Sequence, residues 1–507
     1  MLRVRLCKRS ASGSNAVTRE LHEAGLRAGT APGRWVLAAT VLGSGMVFLD
    51  GTVVNVALPA IQEDLGTSLG GLQWTVNAYL VTLTALLLLG GNLGDRFGRR
   101  RTLVVGLVGF TVASVLCGVA PTPGALIAAR ALQGVGGALL VPGSLAIISA
   151  SFHPNDRGRA VGAWSGLAGV VSSIGPFLGG WLIDAISWRA VFLINLPLAA
   201  LAIWIALRHV PESDAGTEHP IDLPGAALVT VALGALCFAA IETGGAMTPL
   251  ALVVGGSALI GFIAVERLVA HPMLPLSVFR STQFSATNLA TLAVYVGLGG
   301  AFFLVVLRLQ LSLGYSALEA GSALVPFTIL MLLLSPAAGQ LGQRLGARIP
   351  LTVGPLVAAT GILGMSGIEP GDRYLSAVLP GVAVFGLGMA VTVAPLTAAV
   401  LGSVEDDLAG TASGVNNAVA RLAGLLAVAT LPALTGIAGA TSLDHALDHG
   451  YTSALQVAAA VTATGGLIAL ALVRRTATVT PTVQPSILHS CNDPTLARQD
   501  PVSTPQG

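Results

Sequence analysis

Gly91-Asn92-Leu93-Gly94-Asp95-Arg96-Phe97-Gly98-Arg99-Arg100 returns late in the chain as Gly339-Gln340-Leu341-Gly342-Gln343-Arg344-Leu345-Gly346-Ala347-Arg348. The common pattern is GxLGxRxGxR, and each copy follows a long apolar run. Gly158-x-Ala160-x-Gly162 and Gly410-x-Ala412-x-Gly414 repeat at a similar offset. Two motifs repeated in the same order imply two related halves running in the same direction. In a membrane chain, parallel repeats of this kind place a bound solute at their interface, near the midplane.

Composition makes it a membrane chain. Charged residues make up 10% of the 507 and hydrophobic ones 53%, whereas a soluble domain carries about 25% charged residues. Mean hydropathy is +0.80. A bilayer-spanning helix needs about 20 mostly apolar residues. Such runs lie at 35–58, 74–93, 102–120, 124–150, 160–183, 190–208, 222–241, 249–269, 285–307, 318–340, 347–368, 375–401, 412–437 and 451–473. None alternates as a barrel strand would, so all fourteen are read as helices. The run at 412–437 is the most polar, because it carries Asn416, Asn417 and Arg421.

Positive charge orients the bundle. With the N-terminus in the cytoplasm, the inner loops and tails receive Arg96, Arg99, Arg100, Arg101, Arg157, Arg159, Arg208, Arg267, Arg280, Arg344, Arg348, Arg474 and Arg475. The outer loops receive Arg189, Arg308 and Arg373. Losing or adding one helix would scramble that bias, so it supports an even count with both termini cytoplasmic. The expected organisation is a disordered basic tail (1–34), a six-helix bundle (35–208), a two-helix insertion (209–284), a second six-helix bundle (285–473) and a disordered tail (474–507). The opening stretch is basic but lacks the apolar core of a signal peptide. Cys7, Cys117, Cys237 and Cys491 form no CxxC pair, and the histidines read as loop or tail residues, so no metal centre or other cofactor is expected.

At several motifs the chain resembles the fourteen-helix drug:proton antiporter branch of the major facilitator superfamily. Gly91 to Arg101 resembles the signature loop between helices two and three. Leu126-x3-Arg130-x2-Gln133-Gly134-x-Gly136 resembles the fourth-helix motif. Gly175-Pro176-x2-Gly179-Gly180 resembles the antiporter motif of helix five. Leu49-Asp50-x-Thr52-Val53-Val54-Asn55-Val56-Ala57-Leu58-Pro59 is similar to the first-helix motif of this branch. Trp188-Arg189-x2-Phe192-x2-Asn195-x-Pro197 and Gly410-Thr411-x-Ser413-Gly414-x-Asn416-Asn417 fit it too. The resemblance spans nearly the whole membrane part and implies two six-helix bundles, with helices seven and eight inserted, around a central cavity.

Asp50 and Arg130 are the intramembrane charges that need a partner or a cavity. At 1.5 Å per residue they lie at depths of about 12 and 9 Å from the outer side, so they can pair between helices one and four. Two readings remain open. The pair is a static bridge, or Asp50 takes up a coupling proton while Arg130 restrains that uptake until substrate or opening disturbs the pair. The resemblance implies proton coupling, since the family's fourth-helix arginine is implicated in it.

Arg421 lies near mid-membrane in helix thirteen without an acid at its depth in this half, and either snorkels or bonds backbone carbonyls, or serves a substrate or coupling role. Asp222, Glu242 and Glu319 fall at helix ends, where an acid is ordinary. In the signature loop, Asp95 can accept the free amides of a helix N-terminus. Gly91, Arg96, Gly98 and Arg99 complete that latch, which Gln343 weakens in the second copy. Gly175, Pro176, Gly179 and Gly180 thin and bend helix five and let a neighbour approach. The resemblance implies that they gate export, whereas the residues alone imply close packing. Asn55, Asn77, Tyr79, Asn416, Asn417 and Arg421 are the substrate-binding candidates.

No GxxxxGK[ST] phosphate loop is possible, because Lys8 in the first tail is the only lysine. Energy must then come from an ion gradient or from the solute. No loop is long enough for a catalytic domain, so an enzyme is not expected, nor is a nucleic-acid partner. The expectation is a monomer in the bacterial plasma membrane that exports small hydrophobic molecules (drugs, antibiotics or a self-made metabolite) in exchange for protons by alternating access. Transport of one physiological solute, outward or inward, and a non-transporting sensor are the alternatives.

Overall fold

The computed structural model describes residues 25–213, 221–405, 408–437 and 443–474. Among them are fourteen helices long and apolar enough to cross a membrane. In chain order they are α1 (Ala31–Leu65), α2 (Leu69–Phe97), α3 (Arg99–Gly118), α4 (Pro123–Ser151), α5 (Asp156–Ala185), α6 (Ala190–His209), α7 (Leu223–Ile241), α8 (Thr248–Leu268), α9 (Thr282–Ser312), α10 (Ala317–Leu345), α11 (Arg348–Met365), α12 (Tyr374–Leu401), α13 (Gly410–Leu434) and α14 (Leu447–Leu472). The chain is a multi-pass membrane protein, and every expected run falls on one helix.

The helices outrun the apolar stretches at several ends. Thr30 caps α1 by accepting from the Gly33 amide at 3.3 Å, with Pro32 in the first turn. Residues 25–34, expected in the disordered tail, are therefore structured: Leu26 bonds the Ser151 carbonyl at 2.8 Å and receives the His153 amide at 3.1 Å. Apolar length marks only the lipid-embedded part of a helix, and caps mark its ends. The rest of the two tails, residues 1–24 and 475–507, lies outside the described residues. Arg308, expected in an outer loop, falls within α9 because that helix runs on to Ser312. Three histidines also leave the loops: His209 closes α6 and stacks on Trp35 at 4.7 Å, while His445 and His449 sit in the first turns of the last helix, which begins at Leu443, ahead of its spanning part.

The packing repeats with the sequence. In the first half α2 and α3 pack on α4, and α1 packs on α5 and α6. In the second half α10 and α11 pack on α12, and α9 packs on α13 and α14. Adding eight to a helix number maps one set on the other. The halves meet along two seams, α5 against α10 and α2 against α13, which the same mapping exchanges. Helices α7 and α8 pair with each other, and α7 leans on α2 and α13. The outer side of α8, including Leu252, Val253 and Ile260, is exposed, as a lipid-facing helix should be.

In lipid, helices gain little from hydrophobicity and associate through close packing of small residues. Gly90 and Gly134 provide it between α2 and α4, where an added Cβ would strike the carbonyl oxygens of Ala138 and Tyr79. Gly98 and Gly346 occupy the same place in the two GxLGxRxGxR copies. Both end a helix at positive φ, +101° and +79°, a conformation that disfavours any residue with a Cβ. The shared glycine is thus a shared turn.

Candidate functional site

Two buried charges and an amide form the centre of the first half. α1 carries Asp50, and α4 carries Arg130 and Gln133 three residues apart on one face. Arg130 Nη1 donates to Asp50 Oδ2 at 2.5 Å and to Gln133 Oε1 at 2.6 Å. Gln133 Nε2 donates to Asp50 Oδ1 at 2.8 Å and to Ser114 Oγ on α3 at 2.9 Å. Arg130 Nε reaches the Thr75 carbonyl on α2 at 3.0 Å, and the Tyr79 ring lies 4.2 Å from the guanidinium carbon. Asn195 on α6 donates to Ser114 Oγ at 3.2 Å. Five helices thus converge on one carboxylate. Asp50 and Arg130 are each only 1% exposed, so the pair meets no solvent from either side. Charges removed from water this completely persist only when paired and hydrogen-bonded, and here both oxygens of Asp50 are satisfied.

Asp50 and Arg130 are legible in the sequence as intramembrane charges, whereas nothing in it assigns a role to Gln133, Ser114 or Asn195. The signal for Gln133 was its place one helical turn after Arg130. Ser114 carried no signal, because α3 has no motif at that point.

The substrate-binding candidates separate. Asn77 and Tyr79 are two positions apart on α2, about 200° around the helix, and so face opposite ways. Tyr79 is buried under Arg130 and donates to the Val47 carbonyl at 3.0 Å. Asn77 turns away from Asp50 toward α7, next to Cys237. Trp74, on the same side, meets Phe238 of α7. Asn55 donates to Gly51 of its own helix at 3.3 Å and leaves its buried Oδ1 unpartnered. Asn416 joins α13 to α9 through Asn288 at 3.2 Å and Thr291 at 2.9 Å. Asn417 bonds its own helix at Ser413, 3.1 Å away. Arg421 is half-buried at the inter-half seam, with its guanidinium carbon 4.8 Å from the centre of the Phe48 ring.

The glycines of helix five lie where the halves touch. An added Cβ at Gly175 would strike Thr52 Oγ1, at Gly179 it would strike Val53, and at Gly180 it would stand 2.6 Å from Leu318 Cα on α10. Pro176 has no amide to offer the Ser172 carbonyl one turn back. Thr52 on α1 fills that vacancy, donating to Ser172 O at 2.9 Å. The Pro176 carbonyl in turn abuts Gly321 on α10. Near the same membrane face, Gln310 donates to the Val56 carbonyl at 3.0 Å and Leu318 N donates to Asp184 Oδ2 at 2.9 Å. The α2–α13 seam adds a bond from Gln73 to the Val428 carbonyl at 2.6 Å. All these contacts lie toward the face where α1 ends. Toward the face where α1 begins, Gly158, Gly162, Gly166 and Gly169 of α5 have nothing within 4 Å of an added Cβ. Along the α5–α10 seam the halves are closed at one face and parted at the other.

The signature loop is wired differently from the sequence expectation. Asp95 caps no helix. It pairs with Arg99 one turn on, at 2.8 Å. Glu212, just after α6, accepts the Arg100 amide at 3.0 Å at the start of α3 and sits 3.5 and 3.7 Å from the Nε atoms of Arg100 and Arg101. It approaches because Gly98 has no side chain: an added Cβ there would lie 2.7 Å from Glu212 Oε1. Arg96 projects over Phe97 at 5.3 Å, and Gly91 makes ordinary contact with Pro142. The acids at helix ends behave as caps: Asp222 accepts the Gly225 amide at 2.8 Å, and Glu319 completes a capping box with Ser316.

Two repeat-related six-helix bundles meeting along symmetric seams, with polar groups at the interface, define a membrane transporter built from parallel repeats. The chain belongs to the major facilitator superfamily, whose model matches residues 40–428. It is 38% identical over 445 residues to a probable actinorhodin transporter of Streptomyces coelicolor, covering 84% of this chain and 77% of the relative. It is 36% identical over 407 residues to a tetracenomycin C resistance and export protein of Streptomyces glaucescens, covering 78% and 75%. The crystal structure of a peptide transporter, POT, in complex with sulfate superposes with a TM-score of 0.66 at 13% identity, covering 89% of this chain and 97% of that one. That likeness concerns the fold.

Proposed function

We propose that this protein, acting as a monomer, exports small hydrophobic molecules of the antibiotic or secondary-metabolite kind in exchange for protons, by alternating access, with Asp50 as the proton carrier. The observation that carries the reading is the Asp50–Arg130–Gln133 cluster, a carboxylate sealed from both faces at the convergence of five helices. A carboxylate so enclosed takes up a proton only when the helices around it shift, and that requirement ties protonation to conformation. The export direction is supported by the relatives, one of which is described as an export protein.

The arginine bias assigns the face where α1 begins to the cytoplasm. The parted α5–α10 seam then opens inward, and the Gly175–Gly180 contacts form the outer gate. Thr52 and Val53, which those glycines touch, flank Asp50 within one turn of α1, so gate and proton site share a short stretch of helix.

The test uses inverted vesicles carrying a pH gradient, to which a panel of lipophilic antibiotics is added. Drug-dependent dissipation in wild type that is absent in Asp50→Asn is the expected result. Equal dissipation by both would remove Asp50 from coupling, and loss of gradient dependence of export would remove the proton.

A further inference from the structure

Arg421 sits halfway along α13, a helix of 25 residues, and so lies about 18 Å from either end at 1.5 Å per residue. Its side chain is too short to reach either headgroup layer. Among the described residues no hydrogen bond and no carboxylate reaches its guanidinium. The ion pairs there are made by Arg99, Arg100, Arg101, Arg130, Arg189 and Arg308. The acid nearest in sequence to its α1 neighbours, Asp50, has both oxygens already bonded to Arg130 and Gln133. The central charges, Asp50, Arg130 and Arg421, therefore leave one positive charge uncompensated.

The surroundings of that charge are apolar and aromatic. Phe48 lies beneath the guanidinium. Gly51 opens space beside it, so that even an added Cβ would stand 3.7 Å from Nη1. Tyr79 and Tyr295 are close enough to feel its charge. Phe48, Gly51 and Asn55 fall on one side of α1 at helical spacing, and Asn55 keeps an unpartnered oxygen there. A cation over an aromatic face recovers part of its lost hydration, but a half-buried guanidinium with free donors, halfway through a membrane, still calls for an anion.

We infer that Arg421 is the docking cation for an anionic group on the transported molecule, so that the substrate class is apolar or aromatic molecules bearing a carboxylate, sulfonate or phenolate. The planar fork of the guanidinium suits bidentate capture of such a group, and Phe48 offers a wall for its apolar body. A cationic amphipath would enter a site that is already positive. Calling the ligand a substrate rests on the export reading above; the anion preference itself does not.

The experiment is equilibrium binding to the full chain in phosphatidylcholine nanodiscs, without any gradient. The probes are 9-anthroate, its primary amide and 9-anthracenylmethylammonium, which share one ring system and differ in charge. Wild type is expected to bind the anion about tenfold tighter than the amide, the worth of one charge-assisted hydrogen bond, and the cation more weakly still. Arg421→Gln should bring the anion-to-amide ratio to about one, and Arg421→Lys, a second variant that keeps the charge, should retain part of the preference. A wild-type ratio of one, no measurable anthroate binding, or a preference that survives Arg421→Gln would each overturn the inference. Because binding is read in the absence of transport, failure here leaves the export reading standing, and failure of the vesicle test leaves this result standing.

Discussion

Thr52 Oγ1 donates at 2.9 Å to the carbonyl of Ser172, the oxygen that Pro176 leaves without its helical partner. Within a bilayer a freed backbone carbonyl must find another donor, and α1 supplies it. The Asp50-x-Thr52 stretch of one helix and the Gly175-Pro176 stretch of another, which look like separate motifs along the chain, are thus two sides of one contact.

That contact predicts a coupled pair of substitutions. Thr52→Val should destabilise the protein by about 1–3 kcal/mol by orphaning the Ser172 carbonyl, while Thr52→Ser should be mild. In a Pro176→Ala background the helix can satisfy its own carbonyl, so Thr52→Val should cost much less. A thermal-unfolding double-mutant cycle checks this, and additive effects would refute the link.

The buried ion pair predicts an asymmetry. Arg130→Gln leaves Asp50 charged and unpaired and should destabilise by about 3–5 kcal/mol. Adding Asp50→Asn to it removes the stranded charge and should restore part of the loss without restoring the proton exchange proposed above. Stability and vesicle assays on the single and double variants separate the two readouts.

Gly180→Val should part the α5–α10 seam at the face where α1 ends, because its side chain would collide with Leu318 on α10. With that seam held apart, a cysteine placed at Gln310 should react faster with a membrane-impermeant maleimide than the same cysteine in the Gly180 protein. Unchanged labelling would mean that α5 does not seal this face.

In the signature loop, Glu212→Gln should cost more stability than Asp95→Asn. Glu212 caps α3 and meets two arginines, and a helix cap is worth about 1 kcal/mol, whereas Asp95 makes one half-exposed pair within a turn, worth about 0.3–0.5 kcal/mol. Gly98→Ala, strained at its positive φ and crowding Glu212, should be destabilising in the same melts. Gly158→Ala, in open space, should not be.

Most of the fold was legible because lipid imposes a length and a polarity that any spanning helix must show. The apolar runs located all fourteen helices, and the doubled GxLGxRxGxR located the two halves. Helix ends were less legible: α1 begins at a Thr-x-Pro cap and continues to Leu65, and capping obeys local chemistry that hydropathy does not measure. Asp50 and Arg130 stood out as charges in apolar runs, which in a bilayer demand a partner.

Side chains of ordinary type did not stand out. Gln133 and Ser114 matter because of what lies opposite them on other helices. Asn77 is a substrate-site candidate by its residue type, yet the angle around α2 turns it away from Asp50 and toward α7. Asp95 is the loop's acid and could meet a helix N-terminus, but Glu212, more than a hundred residues later, holds the start of α3, because Gly98 opens the way. The number and type of the helices and their division into two related halves were written in the chain, since these follow from local polarity and repetition. Only the tertiary structure decided which polar groups share a site and which arginine is left without an anion, since these depend on how helices rotate and cross, and no stretch of chain encodes that alone.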